Sequence, residues 1–315
     1  MPLKFARSLE LRCPCQSKTE IREVSGQLLC SGQQCEHSQH GMGFSIIDDR
    51  AILVSISRSD TLLDPLIVQS RVERSSNKFS ALRRYMGPDS RISEENCAAF
   101  IQLLSQKKKS PQVLMIGSAE PGVGTNALWS SHNVDIVGID VYITDTVSMV
   151  CDAHYLPFPS GFFDGVWVQA VLEHVVDPQQ VVAEITRVLD DGGLVYSEIP
   201  FMQQVHEGAY DFTRFTLSGH RYLFKNFETI KLDVLDGPGA AFSWSFRYWV
   251  WALTRSRNIA RAANLVSSIV TKLLSRLETK ESKFDSYSGS FFMGRKSIYT
   301  VKHKDLLSIY QGNIK

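Results

Sequence analysis

Two rhythms of apolar and polar positions alternate through the second half of this 315-residue chain. Short unbroken apolar runs, as expected of parallel strands buried on both faces, are separated by segments with apolar residues at helical spacing. The runs predict strands at 113–117, 134–139, 148–151, 163–168 and 193–199, a sixth from Phe227 to Leu235, and a seventh, antiparallel, from Phe291 to Lys296. The best helix follows Asp177-Pro178, where Val181, Val182, Ile185, Val188 and Leu189 share one face; Asp191-Gly192-Gly193 is expected to stop it. A second helix is expected from Ser93, with Phe100, Ile101, Leu103 and Leu104 inward and Lys107, Lys108 and Lys109 as its solvated end. This order predicts an α/β fold, a doubly wound, mostly parallel seven-stranded sheet.

The stretch Val113–Asp140 organises the rest. An apolar run leads into a turn punctuated by Gly117, Gly122 and Gly124, and a second run ends on Asp140. Ligands of open α/β sheets sit beyond the carboxyl ends of the strands, where a carboxylate can accept from both hydroxyls of a ribose. A nucleoside-containing cofactor is therefore expected. The turn also contains Gly122-Val123-Gly124-Thr125-Asn126-Ala127, a dinucleotide-type G-x-G-x-x-A, but Gly122 comes six residues after Ile116 instead of directly after the strand.

Residues 1–56 read as a small separate module and 57–92 as a linker with a short helix; the main domain then fills 93–315. The module holds Cys13, Cys15, Cys30 and Cys35, two pairs on tight turns that suit a tetrahedral thiolate metal site, with His37 or His40 as a replacement ligand. Such a site is structural, since four protein ligands leave no open position. The module resembles the zinc ribbon found in front of some bacterial methyltransferase domains, with unusual spacings of one residue between Cys13 and Cys15 and four between Cys30 and Cys35.

Net charge is +1 and residues 1–50 carry six Lys/Arg against six Asp/Glu, which argues against a nucleic-acid partner. No apolar run is suited to a signal peptide or a membrane span, so a cytoplasmic location is expected.

The segment CDAHYLPFPSGFFDGVWVQAVLEHV, Cys151–Val175, combined with the glycine turn, Asp140 and EITRVLDDGGLVYSEIPF, resembles the class I S-adenosylmethionine-dependent methyltransferases over about residues 95–235. The resemblance implies that Gly117, Ser118, Ala119, Gly122 and Gly124 lie under the methionine and ribose, that Asp140, with Val141 beside it, binds the ribose hydroxyls, and that Asp152 and the Ala153 N–H meet the adenine. Gln169 and Ala170 would lie near the sulfonium, and Glu173 and His174 would line the substrate side or brace the wall. Met115 stands where such families carry an acid, and Ala119 where they carry a second glycine.

Phe201–Phe224 follows the fifth strand and holds His206, Glu207, Asp211, Arg214 and His220 among aromatics. It resembles the substrate side of methyltransferases of polysaccharide and secondary-metabolite biosynthesis. His206 is the expected base, oriented by Asp211 or Glu207, with His174 as the other candidate. Residues 240–283 are read as a helical insertion, with Ile259, Ala263, Val266, Ile269, Val270, Leu273, Leu274 and Leu277 on one stripe. Eight Lys/Arg against two Asp/Glu over 247–283 admit peripheral membrane contact; the blander expectation is packing on the domain or dimerisation. The expected function is methyl transfer from S-adenosylmethionine to a saccharide or small metabolite, on oxygen. An NAD-dependent sugar-modifying enzyme and a non-catalytic methyltransferase-like module are the alternatives.

Overall fold

The computed structural model describes residues 9–24, 27–33, 35–39, 43–55 and 90–312; most of the expected linker, and His40, lie outside the described residues. Eleven strands are present among them: β1 Ile21–Val24, β2 Gln27–Cys30, β3 Ile46–Ile47, β4 Arg50–Leu53, β5 Gln112–Ile116, β6 Asp135–Asp140, β7 Met149–Cys151, β8 Phe163–Gln169, β9 Leu189–Pro200, β10 Phe227–Val234 and β11 Gly289–Lys296. The helices that matter here are α1 Glu36–Gln39, α2 Ser90–Lys107, α3 Asn126–Trp129, α4 Pro178–Val188, α5 Leu217–Leu223, α6 Pro238–Thr254 and α7 Arg257–Leu274.

One sheet runs in the order β10-β11-β9-β8-β5-β6-β7-β4-β3. The strands from β9 to β4 are mutually parallel, while β11 enters antiparallel between β9 and β10. Chain order reverses between β5 and β8, which creates a switch-point crevice at their carboxyl ends. All seven expected strands are present. Two more come from residues 46–53: β4 pairs parallel with β7, Ala51 opposite Met149 and Leu53 opposite Cys151. The N-terminal segment is therefore not a detached module. Its docking is reinforced by the Arg12 N–H donating to the Pro157 carbonyl and by a 2.7 Å ion pair between Lys18 and Glu184.

Alternation along β5 explains why the sheet is covered on both sides. Val113 and Met115 join Phe100 and Leu104 of α2 on one face, with Trp167 stacked on Tyr196 at 3.9 Å. Leu114 and Ile116 face the other way, onto Val181, Ile185 and Val188 of α4 and the buried side chains of the N-terminal segment. Helix α4 begins as its sequence dictates: Pro178 occupies the first turn and Asp177 accepts from the Gln180 N–H at 3.0 Å. It ends earlier than expected, because the Gly161 and Phe162 N–H groups take the carbonyls of Arg187 and Val188 and draw Leu189 into β9. Lys107 and Lys108 are not simply solvated; they pair with Asp190 at 3.1 Å and Asp164 at 2.8 Å.

The α6–α7 hairpin overturns the expectation that its apolar stripe packs on the domain. The face of α7 that meets α6 is small and polar, with buried Ala260 and Ser267 and a 3.1 Å contact between Ser243 and Thr271 hydroxyls. Ile259, Val266, Leu273 and Leu277 are exposed. No helix among the described residues is long and apolar enough to cross a membrane.

Candidate active site

A cleft of about 830 Å³ opens at the switch point. Of the residues expected to hold the cofactor, it is lined by Gly117, Ala119, Gly122, Asp140, Val141, Asp152, Ala153, Gln169 and Ala170. Ser118 and Gly124 do not line it. Ser118 is buried beneath the turn, and Gly124 turns with φ +79° against α2, where an added Cβ would lie 2.7 Å from the Glu94 nitrogen. That position explains the glycine without a ligand. With α3 only four residues long, the dinucleotide fingerprint has neither its immediate post-strand glycine nor its helix.

The glycine turn is shaped from both sides. The Gly117 and Ser118 N–H groups donate to the Ile139 carbonyl. Asp140 Oδ2 accepts from the Ala119 N–H at 2.8 Å, and its Oδ1 accepts from Val141 and Tyr142 at 2.7 and 3.2 Å. Gly117, at φ +78°, passes so close to Val171 that a Cβ would collide with it. Asp152 caps the one-turn helix Ala153–Tyr155, accepting from the His154 N–H at 2.9 Å and from His154 Nδ1 at 2.6 Å. His154 Nε2 accepts from the Asp177 N–H, so its proton sits on the nitrogen facing Asp152. Leu156 and Phe158 of the same motif are fully buried, and Arg187 holds their carbonyls. The motif is thus a buried clamp that presents Asp152 and Ala153 to the cleft.

Ala170 follows β8 at φ +53°, a left-handed conformation rare for a residue with a Cβ. Its N–H donates to the Glu198 carbonyl. Glu198 escaped the sequence analysis; it lies two residues before the end of β9, still inside the strand, and lines the cleft. Its Oε1 accepts from Ser93 at 2.7 Å and Tyr196 at 2.6 Å, and its Oε2 accepts from Gln169 at 2.8 Å. Burial raises its carboxyl above the ordinary range.

Beyond this network the cleft reaches Glu173, His174, Gln203, His206, Glu207 and Tyr210. The His174 and His206 rings meet edge to face at 4.9 Å. Glu173 lies beneath them, fully buried, 3.7 Å from His174 Nε2 and 4.0 Å from His206 Nε2, with no hydrogen bond to either carboxylate oxygen among the described residues. Burial lifts the Glu173 carboxyl to about 8 and lowers His174. Asp211 lies against His206: its Oδ2 accepts from the His206 backbone N–H at 2.9 Å and stands 3.5 Å from Nδ1. Two Arg214 nitrogens bind the Asp211 carboxylate and hold it well below the usual range. His220 lies elsewhere, buried between β9 and β11 against the hydroxyls of Ser197 at 3.1 Å and Ser290 at 2.9 Å.

At the other end of the chain, Cys13, Cys15, Cys30 and Cys35 are buried with their sulfurs all within 4.8 Å of one another. Cys13 and Cys35 are 3.6 Å apart, near the roughly 3.8 Å edge of a tetrahedron with Zn–S bonds of about 2.3 Å. Backbone N–H groups of Cys15, Gly32 and His37 point at the sulfurs of Cys13, Cys30 and Cys35. Burial pushes the Cys13 and Cys35 thiols up, Cys35 to about 11, so a cation is what would make these thiolates. The donor set fits a structural zinc ion. His37 is no part of it; its ring stacks on Phe44 at 4.1 Å.

Residues 120–197 match the methyltransferase domain family. That match to a methyltransferase domain spans β6 to β9 and the loops that line the cleft. Among curated proteins it resembles the ubiquinone/menaquinone biosynthesis C-methyltransferase UbiE of Bordetella parapertussis, 41% identical over 69 residues, which are 22% of this chain and 27% of that protein. The UbiE of Ralstonia pickettii is 37% identical over 67 residues, 21% of this chain and 28% of that one. The chain therefore spans little more than a quarter of the curated relatives it matches. Solved structures similar to the methyltransferase domain include phosphoethanolamine N-methyltransferase 2 of Haemonchus contortus in complex with S-adenosyl-L-methionine, at 18% identity and TM-score 0.39, covering 64% of this chain and 52% of that one. The [4+2]-cyclase SpnF, at 16% identity and TM-score 0.38, covers 64% of this chain and 82% of its own.

Proposed function

We propose that this protein transfers a methyl group from S-adenosylmethionine to an oxygen of a small polar acceptor, a saccharide or related metabolite. The observation that carries the reading is that Asp140, Asp152 and the Glu173–His174–His206 cluster all open onto one cleft. Asp140 would hold the ribose hydroxyls, and Asp152 with the Ala153 N–H the adenine. The cofactor supplies an electrophilic methyl group on a sulfonium. Transfer to a hydroxyl would break the S–C bond and form an O–C bond, leaving S-adenosylhomocysteine and a proton, which a base beside the acceptor would accept. We read His206 as that base; the Asp211 contact to its backbone and the Arg214 contact to Asp211 support this. The polar lining from Gln203 to Tyr210 supports a hydroxylated acceptor. Isothermal titration with S-adenosylhomocysteine tests the cofactor half. Mass spectrometry of methylated products from a cell extract tests the acceptor half, and absence of binding would remove the whole reading.

The same reading gives the four N-terminal cysteines a structural zinc ion. It also includes a cytoplasmic location, supported by six free, buried cysteines.

The α6–α7 hairpin is read as a contact for an anionic lipid surface. Exposed Trp249, Leu253, Ile259, Val266, Leu273 and Leu277 accompany a basic excess over 247–283. Arg247, Arg257 and Arg261 converge with Tyr248 and Trp251 around a hollow of about 230 Å³ that no acidic side chain lines. Arg257 already lies over the Trp251 ring at 5.1 Å. A lipid-borne phosphate matches that chemistry.

A further inference from the structure

Among the described residues Glu173 has no hydrogen-bond donor on either oxygen, although its side chain is buried and lines the cleft. Burying such a group without a partner is costly, and the two nearest polar atoms explain what it faces. His174 Nδ1 lies 2.7 Å from the Tyr210 carbonyl oxygen, which can only accept; Nδ1 therefore carries the proton and Nε2 bears a lone pair. His206 Nδ1 likewise faces acceptors, the Gln204 carbonyl at 3.3 Å and Asp211 Oδ2 at 3.5 Å. Both Nε2 lone pairs thus turn toward the Glu173 carboxylate. Two imidazole lone pairs and the Glu173 oxygens therefore face one gap with no hydrogen bond across it, and a cation there would satisfy all three groups at once. A hydrogen-bonded Nδ1 on each histidine is also the arrangement that fixes a metal-binding imidazole.

We infer that Glu173, His174 and His206 form a site for a divalent first-row transition ion at the acceptor end of the cleft. The three ligand atoms all lie within 4.8 Å of one another. Nitrogen and oxygen ligands at roughly 2.1 Å from an ion stand about 3.0–3.4 Å apart, so the observed 3.7 and 4.0 Å edges close with small side-chain rotations. Two histidines and one carboxylate leave further coordination positions open. The site borders the cleft, so those positions are available to the acceptor. A hydroxyl oxygen bound there would ionise more easily, as water does on a metal. His206 and His174 then act as ligands, and the proton of the acceptor hydroxyl passes to solvent. This deepens the methyl-transfer reading toward acceptors that present an oxygen to the ion, and rests on that reading only for the chemistry, not for the binding.

The test uses the full chain with its thiolate site loaded with zinc. Mn²⁺, which thiolates bind poorly, is titrated against the protein and its free signal followed by electron paramagnetic resonance. Zinc content is measured separately after dialysis against Zn²⁺. The expected result is one bound Mn²⁺ per chain, a second zinc equivalent, and at least a tenfold loss of Mn²⁺ affinity in both His206→Ala and Glu173→Gln. Thermal melting of the two variants verifies that they fold; His206 is on an accessible loop, so its variant keeps the test valid if Glu173→Gln does not. Neither Mn²⁺ binding nor a second zinc, or binding unchanged in the folded variants, overturns the proposal. Asp140→Ala separates the two readings. It is expected to bind Mn²⁺ normally while losing S-adenosylhomocysteine, so failure of the metal site and failure of the cofactor site give different patterns.

Discussion

Asp140, at the tip of β6, accepts a 2.8 Å hydrogen bond from the backbone N–H of Ala119, in the turn that follows β5. One carboxylate therefore both closes the turn over which the cofactor would lie and faces the cleft. Asp140→Ala removes both functions. Charge-assisted hydrogen bonds contribute about 1.5–3 kcal/mol each. Affinity for S-adenosylhomocysteine is expected to fall by about two orders of magnitude or more in isothermal titration. An unchanged affinity would place the nucleoside elsewhere.

His206→Ala is expected to abolish methyl transfer while S-adenosylhomocysteine still binds, because His206 lies on the loop after β9, away from Asp140 and Asp152. The prediction holds whether His206 acts as base or as metal ligand, and the Mn²⁺ titration tells those apart. Arg214→Ala should give a partial loss. It removes the guanidinium that holds Asp211, but leaves the hydrogen bond from the His206 N–H to Asp211. Turnover of His206→Ala equal to the parent would exclude this side chain from the mechanism.

How far the sequence alone reached depends on what each residue's neighbours had to supply. Asp140 was legible because a carboxylate just past an apolar run needs only the rule that ligands bind at strand ends, whereas Asp152 was picked out by the resemblance of its DAHYLPF motif. Glu198 lines the same cleft but was missed, since it sits inside the apolar run SEIPF and reads as part of a strand. The Cys cluster was legible by residue type despite irregular spacing. The docking of β4 onto β7 was not, because Ala51–Leu53 is equally suited to ending a small module or extending a large sheet. Periodicity found the apolar stripe of α7 but not its outward direction, which is set by the small residues facing α6. The isolation of Glu173 depends on burial and on two distant loops.

The thiolate cluster carries a stability prediction. The cysteines share a packed core with β4 and with residues of the main sheet, so losing the ion should unsettle more than the first 40 or so residues. Cys30→Ser is expected to lower the melting temperature and remove one zinc equivalent per chain by mass spectrometry. A strong chelator should do the same to the parent protein. A variant that melts like the parent and holds no less zinc would show that no structural ion is bound.

His220 is fully buried, with its two ring nitrogens hydrogen-bonded to the Ser197 and Ser290 hydroxyls. Burial lowers it to about 3. The unfolded chain thus binds a proton that the folded chain refuses between about pH 6.5 and 3. Stability owed to this group is fully present above pH 6.5 and falls by about 1.4 kcal/mol per pH unit as the pH drops through that window. Urea denaturation at pH 7.5 and 5.0 should show this slope in the parent and a shallower one in His220→Gln. Equal slopes would mean that the imidazole titrates normally in the folded protein.

The hairpin prediction follows from an apolar face and a charge that lie on one unit. Each Lys or Arg near an anionic bilayer contributes about 1 kcal/mol, and the effect is screened within about 10 Å at 0.1 M salt. The protein should therefore float with vesicles containing phosphatidylserine, and much less with neutral phosphatidylcholine vesicles or at high salt. Leu273→Ser should weaken flotation through lost insertion, because Leu273 is 73% exposed and has little packing to lose. Arg257→Glu with Arg261→Glu should weaken it through charge, by at least about thirtyfold if each reversal forfeits the contribution of one basic residue. The two routes differ in their salt dependence, so only the leucine variant should retain the parent's sensitivity to salt. A protein that stays at the bottom of the gradient with anionic vesicles, and runs as a dimer that Leu273→Ser dissociates, would assign the exposed stripe to a second copy of the chain instead.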